Sequence, residues 1–168
     1  MNKIISLRKL IVLDVDHTFL YLNLKRKRVA RKHDGHYLGF KYYIRPYFKM
    51  FVDDMTKDGW EFATWTSAPK IFYKALVKKA VKKFFKPKFS WFYEQGTKLK
   101  GLPRVEMLRI PGIAKDLRKI KGYDRVIIID DSPHKTQLNK LNAINIKRWS
   151  GEKYDNAFLK ILLDMKEA

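Results

Sequence analysis

Leu10-Ile11-Val12-Leu13 runs straight into Asp14-Val15-Asp16-His17-Thr18. Four consecutive apolar residues suit a parallel strand covered on both faces. Side chains just past the carboxyl end of such a strand project into the crevice where open α/β sheets bind ligands. Asp14 and Asp16 sit one residue apart at that exit. Like charges this close push one pKa up unless a cation holds them, so a divalent metal is expected.

Outward from this strand, four further strand-like runs follow: Trp60 to Trp65, Phe89 to Tyr93, Val126 to Ile129 and Ala143 to Ile146. Between them lie helix-period segments at Tyr47 to Lys57, Pro69 to Phe85 and Ile113 to Ile120, with a last one from Asp155 to Lys166. Alternation of strand and helix predicts an α/β fold, a Rossmann-like three-layer sandwich with a central parallel sheet. At 168 residues the chain has the length of one domain, 1–168. The segment from about 21 to 43 breaks the alternation with Lys25-Arg26-Lys27-Arg28 and the turn signal Asp34-Gly35. It reads as a small flap inserted after the first strand, leaving the strand beside the two aspartates.

Phosphoryl transfer without cysteine needs an oxygen or nitrogen nucleophile, an acid, a metal and donors for the phosphate oxygens. The chain has no cysteine. Asp14 suits the nucleophile, forming an aspartyl-phosphate, and Asp16 suits the acid that protonates the leaving oxygen and later deprotonates water. Thr66 and Ser67 precede Pro69 at an expected helix start, where hydroxyls and free N–H groups bind phosphate. Thr64 alternates with Thr66 and competes for that role; Thr66 is preferred because it directly precedes the helix. Asp130 and Asp131 end another strand, so Mg²⁺, which takes hard oxygens, would draw on Asp14, Asp16, Asp130 and Asp131. Lys115 is placed to meet the phosphate as a fixed positive charge.

In this order, DVDHT, WTSA, KDL and IIIDDSP resemble the haloacid-dehalogenase superfamily. Within it the chain most resembles the RNA polymerase II C-terminal-domain phosphatases, or NLI-interacting-factor-like family. The matching residues are Asp14 to Phe19, Arg45-Pro46, Trp65-Thr66, Lys115-Asp116-Leu117, Asp130 to Pro133 and Trp149, spanning about Leu10 to Trp149. The resemblance implies a magnesium-dependent phosphatase without a large cap domain, acting on phosphoserine or phosphothreonine in a protein segment. Thr18 and Arg45, which lie in the matched motifs, join Ser67 as expected substrate contacts. A polynucleotide end or a small phosphate ester is an alternative substrate, and a non-catalytic module holding nucleic acid or an acidic protein is an alternative role.

Lys and Arg number 37 against 17 Asp and Glu, a formal charge of +20. That predicts attraction to polyanions, through Lys25, Arg26, Lys27 and Arg28 if the flap meets substrate, or else a solvated surface. Lys70, Lys74, Lys78, Lys82 and Lys86 fall four apart along the expected second helix, opposite Ala75, Leu76, Ala80 and Phe84. His33 and His36 read as exposed loop histidines, and His134 as a candidate for the site rim. Arg8 and Lys9 interrupt the early apolar stretch and Asp14 ends it, so neither a signal-peptide core nor a spanning helix is expected. A cytoplasmic or nuclear location, away from membranes, follows as the expectation.

Overall fold

The computed structural model describes residues 7–104 and 111–167, apart from the side chains of Phe72, Ala75, Leu76 and Val77. The expected core places of Ala75 and Leu76 therefore lie outside what is described. A five-stranded parallel sheet forms the centre, built from β1 (Lys9–Leu13), β5 (Trp60–Trp65), β6 (Ser90–Trp91), β7 (Arg125–Asp130) and β8 (Ala143–Asn145) in the order β6-β5-β1-β7-β8. β1 is paired on both sides, which is why its run is apolar at every position from Leu10 to Leu13. Ile11 and Leu13 join one core and Leu10 and Val12 the other, the period of two that a strand imposes.

On the Ile11 face pack α1 (Phe48–Lys57), α4 (Ala157–Glu167) and the helix α2 (Lys70–Leu76). Phe48, Phe51, Val52 and Met55 recur with helical period, and Phe158 of α4 meets both Phe48 and Phe51 at ring distances of 5.1 Å. The third layer is thinner than expected. Ile113 to Ile120 is no helix: only Leu117–Lys119 coils, as a 3-10 turn, while Ala114 pairs backbone with Thr97. Leu117 and Ile120 still cover Leu10, Val12 and Trp65, so the apolar spacing serves the core without a helix.

α2 is also shorter than its pattern. It passes into one π-helical turn at Val77–Val81, so the four-residue lysine spacing does not continue as one line along an α-helix. The lysines at 70, 74, 78, 82 and 86 are all exposed, whereas Ala80 is buried and Phe84 packs on the core. The insertion is a three-stranded antiparallel sheet of β2 (Leu20–Leu22), β3 (Gly35–Tyr37) and β4 (Phe40–Ile44), ordered β2-β4-β3. Among the described residues there is no larger cap. None of the described helices is long and apolar enough to cross a membrane.

Candidate active site

Strand register assembles the site. Leu13 pairs with both Thr64 and Ile129, so the carboxyl ends of β1, β5 and β7 finish level and deliver Asp14, Thr66 and Asp130 to one edge. The Asp14 amide continues the ladder, donating to the Ile129 carbonyl at 2.9 Å. Immediately beyond, His17 takes a left-handed conformation (φ 62°) that turns the chain back into β2. The His17 carbonyl accepts from the Trp149 amide at 2.9 Å, and the His17 ring Nδ1 lies 2.8 Å from the Trp149 carbonyl.

The two aspartates of the first motif diverge. Asp14 is buried, with one oxygen 2.5 Å from Lys115 Nζ and the other accepting from the Thr18 hydroxyl at 3.0 Å. Lys115 is shared: its ammonium also donates to Asp130 at 2.6 Å, and no part of its side chain meets solvent. Burial pushes the Asp14 carboxyl up, but the charges of Lys115 and Lys135 and the hydrogen bonds outweigh it, leaving Asp14 below its ordinary range. Burial lowers Lys115 and its two aspartates more than restore it, so the lysine stays charged. Asp130, buried and repelled by Asp14, is pushed up to about 6 despite Lys115.

Asp16 has different company. Tyr73 donates to one oxygen at 3.0 Å and Thr66 to the other at 3.3 Å. Burial, then the Asp14 charge, raise its carboxyl to about 7. Two carboxylates from one motif are thus shifted in opposite directions, the pattern that separates an ionised nucleophile from an acid.

A cavity of about 580 Å³ opens over Asp14 and Asp16. Thr66, Ser67, Tyr73, His17, Asp131 and His134 are among the residues that line it. The Ser67 hydroxyl is buried there with no hydrogen-bond partner among the described residues. An orphaned donor aimed at a cavity is costly unless a ligand meets it. Thr64 faces elsewhere, donating to Ser90 at 2.9 Å between β5 and β6.

Oxygens of Asp14, Asp130 and Asp131 lie within 4.8 Å of one another. Three carboxylates against one buried lysine leave negative charge that a divalent ion offsets, and the hard oxygens fit Mg²⁺. The Asp16 side chain is not brought into that group.

Three expectations are corrected by the geometry. Arg45 does not reach the cavity: its buried guanidinium holds both Asp155 oxygens at 2.8 and 2.9 Å and donates to the Thr18 carbonyl at 3.0 Å. Thr18 is likewise buried behind the aspartates, its hydroxyl bridging Asp14 and the Asp131 amide. Lys25, Arg26, Lys27 and Arg28 occupy an exposed turn that the Asn23 side chain pins at Lys27, and none of the four lines the cavity. The flap gives the cavity Leu22 and Leu24 instead.

The residues that sequence reasoning missed are Tyr73, Lys135, Arg104 and Arg148, all at the cavity. Tyr73 carries no motif. Lys135 could have been found, because it lies in the short helix α3 (Pro133–Thr136) that starts where β7 ends. Arg148, 3.3 Å from Asp131, directly precedes the Trp149 that pairs with His17.

Residues 9–168 match the family described as NLI interacting factor-like phosphatase. Among solved structures, Fcp1, described as an essential RNA polymerase II CTD phosphatase, is 17% identical with a TM-score of 0.54, over 84% of this chain and 42% of its own. A variant of the fission yeast Fcp1, bound to beryllium fluoride, is 16% identical with a TM-score of 0.53, over 95% and 50%. The chain spans about half the length of these neighbours or less, and at such identity the likeness is one of fold. No curated protein matches the chain by sequence. Since the family match runs over nearly all of it, this chain belongs to the NLI interacting factor-like phosphatases.

Proposed function

We propose that the protein is a Mg²⁺-dependent phosphomonoesterase that works through an aspartyl-phosphate, with phosphoserine or phosphothreonine in a protein segment as substrate. The observation that carries this reading is the divergence of Asp14 and Asp16, one held charged by Lys115 and Thr18, the other pushed up to about 7 by burial and the Asp14 charge, where it can both give and take a proton. Asp14 attacks phosphorus and forms the new P–O bond while the ester P–O bond breaks. Asp16 gives its proton to the departing alkoxide. Asp16 then takes a proton from the water that attacks phosphorus, and the acyl phosphate P–O bond breaks to return Asp14. Ser67 donates to a phosphate oxygen, and Thr66 keeps Asp16 in place. Bound through Asp14, Asp130 and Asp131, Mg²⁺ would supply positive charge to the phosphate. Lys115 keeps the aspartates ionised and fixed. The protein-segment substrate is supported by the two similar structures, both of RNA polymerase II CTD phosphatases.

The test is hydrolysis of nitrophenyl phosphate, phosphoserine and phosphothreonine peptides and end-phosphorylated oligonucleotides, each with Mg²⁺ and with EDTA. Mg²⁺-dependent release from the peptides is expected, and inertness toward every ester with Mg²⁺ present would overturn the enzyme reading. Turnover of oligonucleotides alone would replace the peptide by a polynucleotide end.

Asp16→Asn separates the acid from the nucleophile. Loss of a general acid costs about 10²–10⁴-fold, borne by esters whose alkoxide needs the proton. We expect the full loss in kcat/KM on serine and threonine phosphates and a much smaller one on nitrophenyl phosphate, whose leaving group departs unprotonated; kcat/KM reports formation of the phospho-enzyme and not its hydrolysis, where Asp16 serves every ester alike. Equal losses on both would take Asp16 out of this role.

A further inference from the structure

Lys115, the basic residue of the motifs, is spent inside the aspartate cluster: it is fully buried, bonded to Asp14 and Asp130, and does not line the cavity. Among the described residues the lysines and arginines that do face the cavity are Lys135, Arg104 and Arg148, from three separate segments. Lys135 is half-buried, and its ammonium has no hydrogen bond or ion pair among the described residues. It lies near enough to lower the carboxyls of Asp14, Asp16 and Asp130, but pairs with none of them. Arg148 has one contact, with Asp131 at 3.3 Å, and stays largely exposed. Arg104 is brought to the wall by Gly112, where a Cβ would sit 2.1 Å from the Pro103 carbonyl oxygen, so only glycine lets these two segments touch.

Among the described residues the lining carboxylates are Asp14, Asp16 and Asp131. Each is already engaged, by Lys115 and Thr18, by Tyr73 and Thr66, or by Ser132 and Arg148. Lys135 is therefore surplus to them, held half out of water with no anion to pair with among the described residues. A cavity of about 580 Å³ is also within the range that encloses a whole small ligand, so a lone phosphate leaves most of it open. Cations converging on that space select for anions, and arginine adds bidentate geometry toward phosphate.

We propose that Lys135, Arg148 and Arg104 form a second anion subsite beside the reaction centre, and that the preferred substrate carries a second phosphate next to the one removed. This rests on the phosphatase reading above and extends it to substrate choice: a doubly phosphorylated segment over a singly phosphorylated one. Within the one cavity the tasks are then divided, with Ser67 and the aspartates serving the scissile group and Lys135 its neighbour.

The experiment compares one peptide in three forms, with phosphoserine flanked by serine, by glutamate or by a second phosphoserine. For the wild-type protein kcat/KM is expected to be at least about tenfold higher for the doubly phosphorylated form than for the serine-flanked form, a gap of about 1.4 kcal/mol. The glutamate form should fall between them. Lys135→Met should shrink the ratio to about twofold, Lys135→Arg should keep most of it, and Arg148→Met should lower it in the same direction. Equal efficiency on all three peptides, or a ratio that survives Lys135→Met and Arg148→Met, overturns the subsite. Affinities of the same peptides for Asp14→Asn, which needs no turnover, give the second readout. If the wild type hydrolyses none of them while the affinity preference persists and depends on Lys135, the phosphatase reading fails and the subsite stands; if turnover occurs without preference, the reverse holds.

Discussion

Asp14→Asn is expected to abolish turnover, by at least about 10⁴-fold in kcat, the scale seen when a covalent nucleophile is removed. An amide oxygen is a poor nucleophile, and the substitution also takes one of the three carboxylates from the candidate Mg²⁺ site. The fold should survive. Asparagine is nearly isosteric, its Oδ1 still accepts from Lys115 while its Nδ2 can donate to the Thr18 hydroxyl in place of accepting from it, and Lys115 keeps Asp130 as its ionic partner at 2.6 Å. Circular dichroism and thermal melts should therefore match the wild type within a few degrees while phosphate release falls to background. Residual Mg²⁺-dependent turnover within tenfold of wild type would require a different nucleophile, and among the described residues no other carboxylate that lines the cavity is positioned by both a lysine and a threonine.

Much of that site was legible because its parts sit where strand geometry puts them. A continuous apolar run ending in Asp14-Val15-Asp16, a second ending at Thr66 and a third at Asp130 must finish together once their strands pair in parallel. Period-two and period-3.6 patterns then gave β1, β5, β7, α1 and α4 to within a few residues. The Ile113 to Ile120 segment misled because apolar spacing reports burial, and a 3-10 turn flanked by extended chain can bury Leu117 and Ile120 as a helix would.

Charge was read less well than hydrophobicity. Lys25 to Arg28 drew attention as a cluster, yet clustering along the chain says nothing about direction, and an Asn23-pinned turn holds them away from the cavity. Lys135 is not legible in the sequence, because one lysine among many carries no signal of its own. Only its place in α3, beside the end of β7, distinguishes it. Arg45 shows a related limit: a motif marks a residue as needed without saying whether it touches substrate or holds the residue that does.

Asp155→Ala should expose that supporting role as a loss of stability. The Arg45 side chain is fully buried, and both Asp155 oxygens accept from it. Removing the carboxylate leaves an unpaired guanidinium in the interior, which costs about 3–5 kcal/mol. For a chain of this size that is a fall of about 6–20 °C in Tm. Asp155 also accepts from the first amide of α4, Ala157, so a cap is lost as well. Arg45→Met should cost less, because Asp155 keeps 16% of its side chain exposed and can recover water. The two losses should not add in Arg45→Met/Asp155→Ala, since one interaction is being removed twice.

Acid should weaken the wild type by the same route. Burial pushes the Asp155 carboxyl up, but the Arg45 hydrogen bonds and the Ala157 amide outweigh it and hold it below its ordinary value. A depressed folded pKa contributes stability in full above the unfolded value of about 3.9, and loses it as pH falls through the folded value. Denaturant titrations at pH 7 and near pH 3 measure both effects. A cost under about 1 kcal/mol for Asp155→Ala at pH 7 would mean the pair behaves as a surface contact. The consequence reaches the site, because Arg45 holds the Thr18 carbonyl and Thr18 in turn bridges Asp14 and the Asp131 amide. Arg45→Met, measured at a temperature where it is still folded, should thus bind Mg²⁺ more weakly than wild type, and unchanged Mg²⁺ affinity would show that Thr18 keeps its place without the arginine.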